Sequence, residues 1–187
     1  MKNLANNPHN RFVILDRDGT IILETQEYIT KPEQISFLPG SIDGMKKIYD
    51  AGFNIIIITN QSVVGRGIIS KKQLEKIHKS INQTLLEKKI KIKGIFYCPH
   101  KPNFGCLCRK PKIELVTKAA KDLNFNTESS FVVGDQETDI NLAKKIQSTS
   151  ILVLTGQGKK FEKKMKDKVD YIASNLSEAA DLIINHQ

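Results

Sequence analysis

Short apolar runs alternate with amphipathic stretches along the chain. Runs rich in β-branched and aromatic residues predict five strands, at 12–15, 53–58, 92–97, 131–133 and 151–154. Apolar positions at helical spacing predict helices between them, at 41–50, 70–87, 112–123 and 139–146, with another that begins near Ser177. The strands are almost continuously apolar, as is typical of parallel strands buried on both faces. The alternation therefore predicts an α/β fold with a doubly wound, Rossmann-like parallel sheet.

Length and composition are compatible with one such domain, spanning residues 1–187. Of the 187 residues, 40% are hydrophobic and 26% are charged, close to the averages for globular proteins. The apolar stretch at 55–58 is too short to cross a bilayer. The first ten residues, MKNLANNPHN, lack the apolar run of a secretory signal. We expect a cytoplasmic monomer without a membrane partner.

The formal net charge of +9 suggests either nucleic acid or an anionic small molecule as a partner. Most of the excess is lysine, and six lysines fall within 159–168, where a solvated helix face explains them. Three of the four arginines lie instead inside candidate motifs: Arg17, Arg66 and Arg109. Since arginine is the side chain that forks onto phosphate, the pattern favours a small phosphorylated substrate over nucleic acid.

Polar segments follow four of the predicted strands, at 16–20, 59–62, 98–100 and 134–135. In doubly wound sheets the ligand crevice lies at the carboxyl ends of the strands. The four segments are therefore expected to meet at one edge of the sheet and to form the active site.

Asp16 and Asp18 lie at alternate positions directly after the first strand, in the segment DRDGT. One carboxylate can attack phosphorus and form an aspartyl-phosphate, while the other protonates the departing alkoxide. Asp16 suits the first task and Asp18 the second. The alternative interpretation is a simple Asp-Gly turn.

Two aspartates would repel a phosphate dianion unless a cation lay between them. Asp16, the backbone carbonyl of Asp18 and Asp135 offer the hard oxygen ligands that Mg²⁺ prefers. Asp139 is either a second layer around this site or an acidic residue in the first turn of a helix. We expect a magnesium-dependent enzyme.

The phosphoryl group also needs donors that stabilise its charge. The Thr59 hydroxyl, at the end of the second strand, suits this task, although threonine is also a common strand residue. Lys110 is the candidate cation. Pro111 is expected to open the next helix, with its free amides directed to the same edge.

All three cysteines lie close to one histidine, in the ligand set Cys98, His100, Cys106 and Cys108. Three sulfur atoms and one nitrogen match closed, tetrahedral, structural Zn²⁺; the alternative is three free thiols and a surface histidine. The remaining histidines have no comparable neighbours and are expected to be solvated: His9, His78 and His186.

These motifs resemble the haloacid dehalogenase superfamily. The segments DRDGT, TNQS at 59–62, RKP at 109–111 and Gly134-Asp135 are similar to its four motifs and extend over nearly the whole chain. The candidate zinc loop at 98–108 is similar to the capless subfamily of heptose bisphosphate 7-phosphatases and histidinol-phosphate phosphatases. The segment TNQSVVGRG and the region 152–182 look more like the heptose enzymes.

The resemblance implies a role for each motif residue. Asp16 would be the nucleophile, Asp18 the acid/base, Thr59 and Lys110 the phosphoryl stabilisers, and the zinc loop would cover the site in place of a cap. The residues around them are expected to bind the phosphorylated sugar: Arg17, Asn60, Gln61, Ser62, Arg109 and Gln136. Gln136 replaces a lysine of many heptose enzymes.

Three alternatives remain at this point. The five-residue gap between His100 and Cys106 is similar to the histidinol-phosphate branch. Polynucleotide 3′-phosphatases share the nucleophile motif and a similar TNQ stretch. An inactive phosphate- or nucleic-acid-binding module is disfavoured by the intact aspartates and Lys110.

Overall fold

A six-stranded, entirely parallel sheet forms the centre of the molecule. The computed structural model describes residues 11–25 and 27–186. The strands are β1 (Phe12–Leu15), β2 (Asn54–Asn60), β3 (Gly94–Cys98), β4 (Phe131–Gly134), β5 (Thr149–Val153) and β6 (Tyr171–Ala173). They are arranged in the order β3-β2-β1-β4-β5-β6. The order reverses between β1 and β4, which is where a doubly wound sheet opens its ligand crevice.

Helices cover both faces of the sheet. The helices are α1 (Ser41–Asp50), α2 (Ser62–Gly65), α3 (Lys71–Glu87), α4 (Glu114–Leu123), α5 (Glu137–Lys145), α6 (Gly158–Met165) and α7 (Leu176–Asn185). Successive side chains of β1 alternate between the faces. Val13 and Leu15 pack with α1, α3 and α7, while Phe12 and Ile14 pack with α4 and α5. The predicted fold class is confirmed.

Several element boundaries differ from the sequence prediction. β6 was not predicted, because three residues at the edge of a sheet are too short to show a periodicity. β5 begins at Thr149 rather than Ile151 because Thr149 and Ser150 already pair with Phe131 and Val132 of β4. α3 begins one residue later than predicted, since Ser70 is its N-cap and pairs reciprocally with Gln73.

The lysine-rich segment forms α6 and its C-terminal extension. All six lysines between 159 and 168 are exposed and Met165 is buried, so the predicted solvated helix face is confirmed. Among the described helices, none is long and apolar enough to cross a membrane. The expectations about residues 1–10, including His9, lie outside the described part of the chain.

Candidate active site

Three buried carboxylates meet at the carboxyl ends of β1 and β4. Asp16 follows β1, Asp135 follows β4, and Asp139 lies in the first turn of α5. The backbone N–H of Asp16 donates to the Val133 carbonyl at 2.9 Å, which holds the two strand ends together. Oxygen atoms of the three carboxylates lie within 4.8 Å of one another. The expected convergence of the segments at 16–20 and 134–135 is confirmed.

Lys110 joins the nucleophile candidate to α5. Its Nζ lies 2.6 Å from Asp16 Oδ1 and 2.7 Å from Asp139 Oδ1, and its side chain is 4% exposed. Burial alone would lower the pKa of Lys110, but Asp139 and Asp16 raise it above its ordinary value. Lys110 is therefore a permanent cation, and Asp139, which lies in the first turn of α5, is its second carboxylate partner.

The carboxylates carry more negative charge than Lys110 can balance. Burial raises the pKa of Asp16 to about 7; Lys110 opposes this rise, and Asp139 and Asp18 add to it. Burial raises the pKa of Asp135 to about 8, with further contributions from Asp16 and Asp139. These carboxyls resist ionising together until a cation joins them, and a phosphate dianion would sharpen that demand.

Asp135 has the features expected of a metal ligand. Its Oδ2 accepts the backbone N–H of Gln157 at 2.8 Å, while its Oδ1 is buried and has no hydrogen-bond partner among the described residues. A Cβ atom at Gly19 or Gly156, both at positive φ, would come within 2.1 and 2.2 Å of Asp135 Oδ2. The two glycines allow the backbone to close around this carboxylate. The donor set fits Mg²⁺, which prefers carboxylate oxygens.

Asp18 is held at the rim by Arg17 and Gln61. Arg17 Nη2 lies 2.9 Å from Asp18 Oδ1, and Gln61 Nε2 donates to Asp18 Oδ2 at 2.7 Å. The Asp18 side chain is 24% exposed, whereas that of Arg17 is 3% exposed. Gln61 Oε1 accepts from Arg17 at 2.9 Å. The guanidinium, expected on the substrate, is thus directed onto Asp18.

Thr59 and Asn60 end β2 beside the nucleophile candidate. Thr59 Oγ1 accepts from Gln61 Nε2 at 2.9 Å, so its own hydroxyl hydrogen is available to a phosphoryl oxygen. The Asn60 amide binds the Lys110 backbone in both directions, at 3.0 and 3.3 Å. Asn60 therefore fixes the lysine backbone from the neighbouring strand.

Two joined hollows open above these residues. The inner hollow, of about 70 Å³, is lined by Asp16, Asp18, Glu24, Thr59, Asn60, Lys110, Gln136 and Thr138. The outer hollow, of about 300 Å³, adds most of the expected substrate-binding residues: Arg17, Gln61, Ser62 and Arg109. A larger open groove of about 1040 Å³ beside α4 contains none of the site carboxylates. The two smaller hollows, which hold the reactive side chains, are therefore the better candidates for the active site.

The four candidate zinc ligands also come together. Cys98 Sγ lies 3.7 Å from Cys106 Sγ and 3.2 Å from Cys108 Sγ, and His100 Nδ1 lies 3.2 Å from Cys108 Sγ. Sulfur ligands of a tetrahedral zinc with bonds of about 2.3 Å lie about 3.8 Å apart. The first distance matches, and the second would open by about half an ångström. The cluster fits a closed Zn²⁺ site.

The candidate zinc loop is tied to the loop after β2. The Cys98 carbonyl accepts from the Gln61 backbone N–H at 2.7 Å, and the Pro99 carbonyl accepts from Gly65 at 2.8 Å. Arg109 Nη1 donates to the His100 carbonyl at 3.4 Å. A change in the conformation of this loop would therefore shift the positions of both Gln61 and Arg109.

The expectation that His78 is solvated was wrong. It is buried at 8% exposure on the apolar face of α3, together with Leu74, Ile77, Ile81 and Leu85. Its helical spacing from those residues was the available signal. His186 is exposed, as expected. The sequence interpretation also missed Glu24 and Gln157, whose side chains join at 2.6 Å beside Asp135; only tertiary structure brings them together.

The chain is similar to curated phosphatases along most of its length. Residues 107–179 match a family model described as HAD-hydrolase-like. A D-glycero-beta-D-manno-heptose-1,7-bisphosphate 7-phosphatase from Pseudomonas putida is 32% identical over 174 residues, which cover 93% of this chain and 99% of that protein. A probable D-glycero-D-manno-heptose-1,7-bisphosphate 7-phosphatase from Thermoplasma volcanium is 39% identical over 136 residues, or 72% and 92% of the two chains.

The fold is similar to that of a solved enzyme. The crystal structure of D,D-heptose 1,7-bisphosphate phosphatase from B. bronchiseptica, complexed with magnesium and phosphate, matches with a TM-score of 0.88 and 27% identity. The match covers 95% of this chain and 99% of that one. The chain belongs to the haloacid dehalogenase-like hydrolases, in the group that contains the D-glycero-D-manno-heptose 1,7-bisphosphate 7-phosphatases.

Proposed function

We propose that this protein is a Mg²⁺-dependent phosphatase that hydrolyses D-glycero-D-manno-heptose 1,7-bisphosphate at the 7-position. The observation that carries the proposal is that Asp16 contacts Lys110 and lies close to the Asp135 carboxylate. Asp16 and Lys110 line the inner hollow together with Thr59 and Asp18. The names of the similar curated proteins supply the substrate.

In the first half of the reaction, an Asp16 oxygen attacks phosphorus and the bond to the sugar oxygen breaks. Asp18, at the rim, donates a proton to the leaving alkoxide. Lys110 and the Thr59 hydroxyl balance charge on the non-bridging oxygens. The products of this half are the free sugar hydroxyl and an aspartyl-phosphate at Asp16.

In the second half, Asp18 takes a proton from water as the water attacks the aspartyl-phosphate. Phosphate leaves and the Asp16 carboxylate is restored. Asp16, Asp135 and the Asp18 carbonyl would hold Mg²⁺, with Asp139 behind Lys110. The ion, when bound, neutralises charge between the carboxylates and the phosphoryl group. Arg17 and Gln61 keep Asp18 directed at the reacting oxygen.

The outer hollow is the proposed place for the sugar and its second phosphate. Arg109 offers a guanidinium there and Gln136 a neutral amide, while Ser62 adds a hydroxyl. Glu24 and Glu27 supply carboxylates suited to sugar hydroxyls. The lining includes no lysine and two guanidinium groups, and Arg17 is already paired with Asp18. Arg109 is therefore the cation left for the remote phosphate, which makes that phosphate a modest source of binding energy.

The substrate proposal is tested by initial rates on both anomers of the heptose bisphosphate and on histidinol phosphate. We expect kcat/KM for one heptose anomer to exceed that for histidinol phosphate by at least about tenfold, a difference of about 1.4 kcal/mol. The inorganic phosphate released should leave a heptose 1-phosphate, identified by mass and phosphorus NMR. If kcat/KM were instead higher for histidinol phosphate, histidinol phosphate would replace the heptose bisphosphate as the proposed substrate.

Histidinol phosphate is the second candidate because of one observation. Glu24, Glu27 and Tyr28 line the outer hollow, and carboxylates with an aromatic ring suit a cationic amino-imidazole substrate. A 3′-phosphorylated oligonucleotide belongs in the same assay. The small volume of the inner hollow, about 70 Å³, disfavours it.

We also propose that Cys98, His100, Cys106 and Cys108 hold one structural Zn²⁺. Elemental analysis of purified protein should find about one zinc per chain. Cys106→Ser is expected to lower the zinc content, the melting temperature and the substrate affinity, because the loop contacts Gln61 and Arg109.

Serine at a residue outside the cluster gives the control. Ala179→Ser introduces a serine at a buried position of α7, away from the four candidate zinc ligands. This variant should keep its zinc. Zinc-free protein with unchanged stability would contradict the structural role.

We further propose that the protein works in the cytoplasm as a monomer. None of the three cysteines, all within the described part of the chain, forms a disulfide, which suits a reducing compartment. The net charge of +9 disfavours self-association through repulsion between copies. Sedimentation velocity at physiological salt measures the oligomeric state directly.

A further inference from the structure

We propose that His78 is a positioning residue. It accepts a hydrogen bond from Arg17 and thereby fixes the orientation of Asp18, the acid/base, which Arg17 contacts. This inference rests on the proposed phosphatase function and adds a residue from α3 to the reaction. His78 Nε2 lies 3.1 Å from Arg17 Nη1. The residue is 61 positions away from Arg17 in the chain.

The direction of this hydrogen bond follows from chemistry. A guanidinium only donates, so the Nε2 of His78 must accept and the ring hydrogen must lie on Nδ1. The ring is therefore neutral when the bond exists. Burial, and then the positive charge of Arg17, lower the pKa of His78 to about 3, so that the neutral ring dominates at neutral pH.

Every side-chain nitrogen of Arg17 then has a partner. Nε and Nη2 donate to Asp18 at 2.9 to 3.2 Å, Nη2 also donates to Gln61, and Nη1 donates to His78. The paired contact of Nε and Nη2 with Asp18 would by itself let the guanidinium shift along the Asp18 carboxylate. The contact with His78, which comes from α3 rather than from the loop that holds Asp18, removes that freedom.

The position of His78 is itself well fixed. It lies on the buried face of α3 between Leu74 and Ile81, and its ring meets Tyr97 of β3 edge to face, with centroids 5.4 Å apart. Packing of this kind limits the side chain to few rotamers. His78, fixed on α3, therefore contacts Arg17, and Arg17 contacts Asp18. Asp18 in turn is the proposed proton donor to the reacting oxygen.

The chemical consequence depends on the leaving group. A sugar alkoxide must receive a proton as it departs, so displacement of Asp18 slows its release. Nitrophenolate is stable without a proton, so p-nitrophenyl phosphate does not need Asp18 in the first half. The value of kcat/KM reports only the steps up to aspartyl-phosphate formation, which both substrates share except for the leaving group.

The test compares His78→Phe, which keeps an aromatic ring but lacks the acceptor, with His78→Gln, whose amide oxygen can still accept. For His78→Phe, kcat/KM on the sugar bisphosphate should fall by at least about tenfold, and on p-nitrophenyl phosphate by less than about threefold. His78→Gln should recover most of the loss. Equal losses on both substrates would assign His78 a purely structural role.

A measurement on the unaltered protein covers the case in which His78→Phe does not fold or the aryl phosphate is not turned over. Two-dimensional ¹H–¹⁵N NMR of the imidazole should show His78 protonated on Nδ1 and not on Nε2 at neutral pH. A hydrogen on Nε2 would overturn the inference. Unaltered protein that releases phosphate from neither substrate would instead refute the proposed function.

Discussion

Replacing Asp16 with asparagine is expected to lower kcat/KM by more than about 10⁴-fold, since an amide cannot form the phosphoryl-enzyme. Asparagine keeps the size of the side chain, and its amide oxygen can still accept from Lys110. The folded structure and the zinc content should therefore remain. Activity is measured with the heptose bisphosphate, and the fold by circular dichroism and thermal unfolding.

A covalent intermediate gives an independent check of the same residue. Enzyme quenched during turnover and reduced with borohydride should yield homoserine at position 16, found by peptide mass spectrometry. Asp43→Asn, an exposed carboxylate on α1, serves as the matched control and should behave as the unaltered protein. More than trace activity in a preparation of Asp16→Asn that is shown to contain no aspartate at this position would refute the nucleophile assignment.

Replacing Asp135 with asparagine is expected to raise the Mg²⁺ concentration for half-maximal activity by more than about tenfold and to lower kcat by about 100-fold or more. Asp135 Oδ1 is buried without a hydrogen-bond partner among the described residues, and the Asp135 carboxylate lies close to that of Asp16. Loss of its charge therefore weakens the attraction for a cation more than it disturbs packing. Mn²⁺ binding followed by electron paramagnetic resonance gives a readout that does not depend on turnover.

The control for the metal experiment is the same exchange at a surface site. Asp181, which pairs with Lys47 in the open, is changed to asparagine, and the Mg²⁺ response should not move. Omission of magnesium from the unaltered enzyme should stop turnover, and its addition should restore it, while the zinc content stays constant. Full activity without any divalent ion in the assay would contradict the magnesium assignment.

The two largest effects share one electrostatic cause. Three buried carboxylates lie together, and the one lysine beside them contacts only Asp16 and Asp139. The pKa values of Asp16 and Asp135 rise to about 7 and about 8 chiefly because burial disfavours their charge. Such an arrangement is unfavourable for folding by itself. It becomes favourable when a divalent cation and a phosphoryl group join, which is the order of events that a phosphatase needs.

Much of the site could be predicted from the sequence because its motifs follow strands. The near-continuous apolar runs predict buried parallel strands, and the residues directly after them must meet at the carboxyl edge. This reasoning placed Asp16, Thr59 and Asp135 at that edge, where the structure has them. The ligand spacing of Cys98 to Cys108 gave a similar signal, since metal-ligand chemistry is local in sequence.

Tertiary structure alone decided the contacts between distant segments. Asp139 becomes the partner of Lys110, and Gln157 reaches Asp135, only after the sheet brings the loops together. His78 was assigned to solvent because a lone histidine carries no motif, yet α3 packs it against Arg17. Sequence determined which chemical groups lie at the strand ends, since periodicity and spacing are local properties; structure decided which of them touch, because those distances depend on how helices and strands pack.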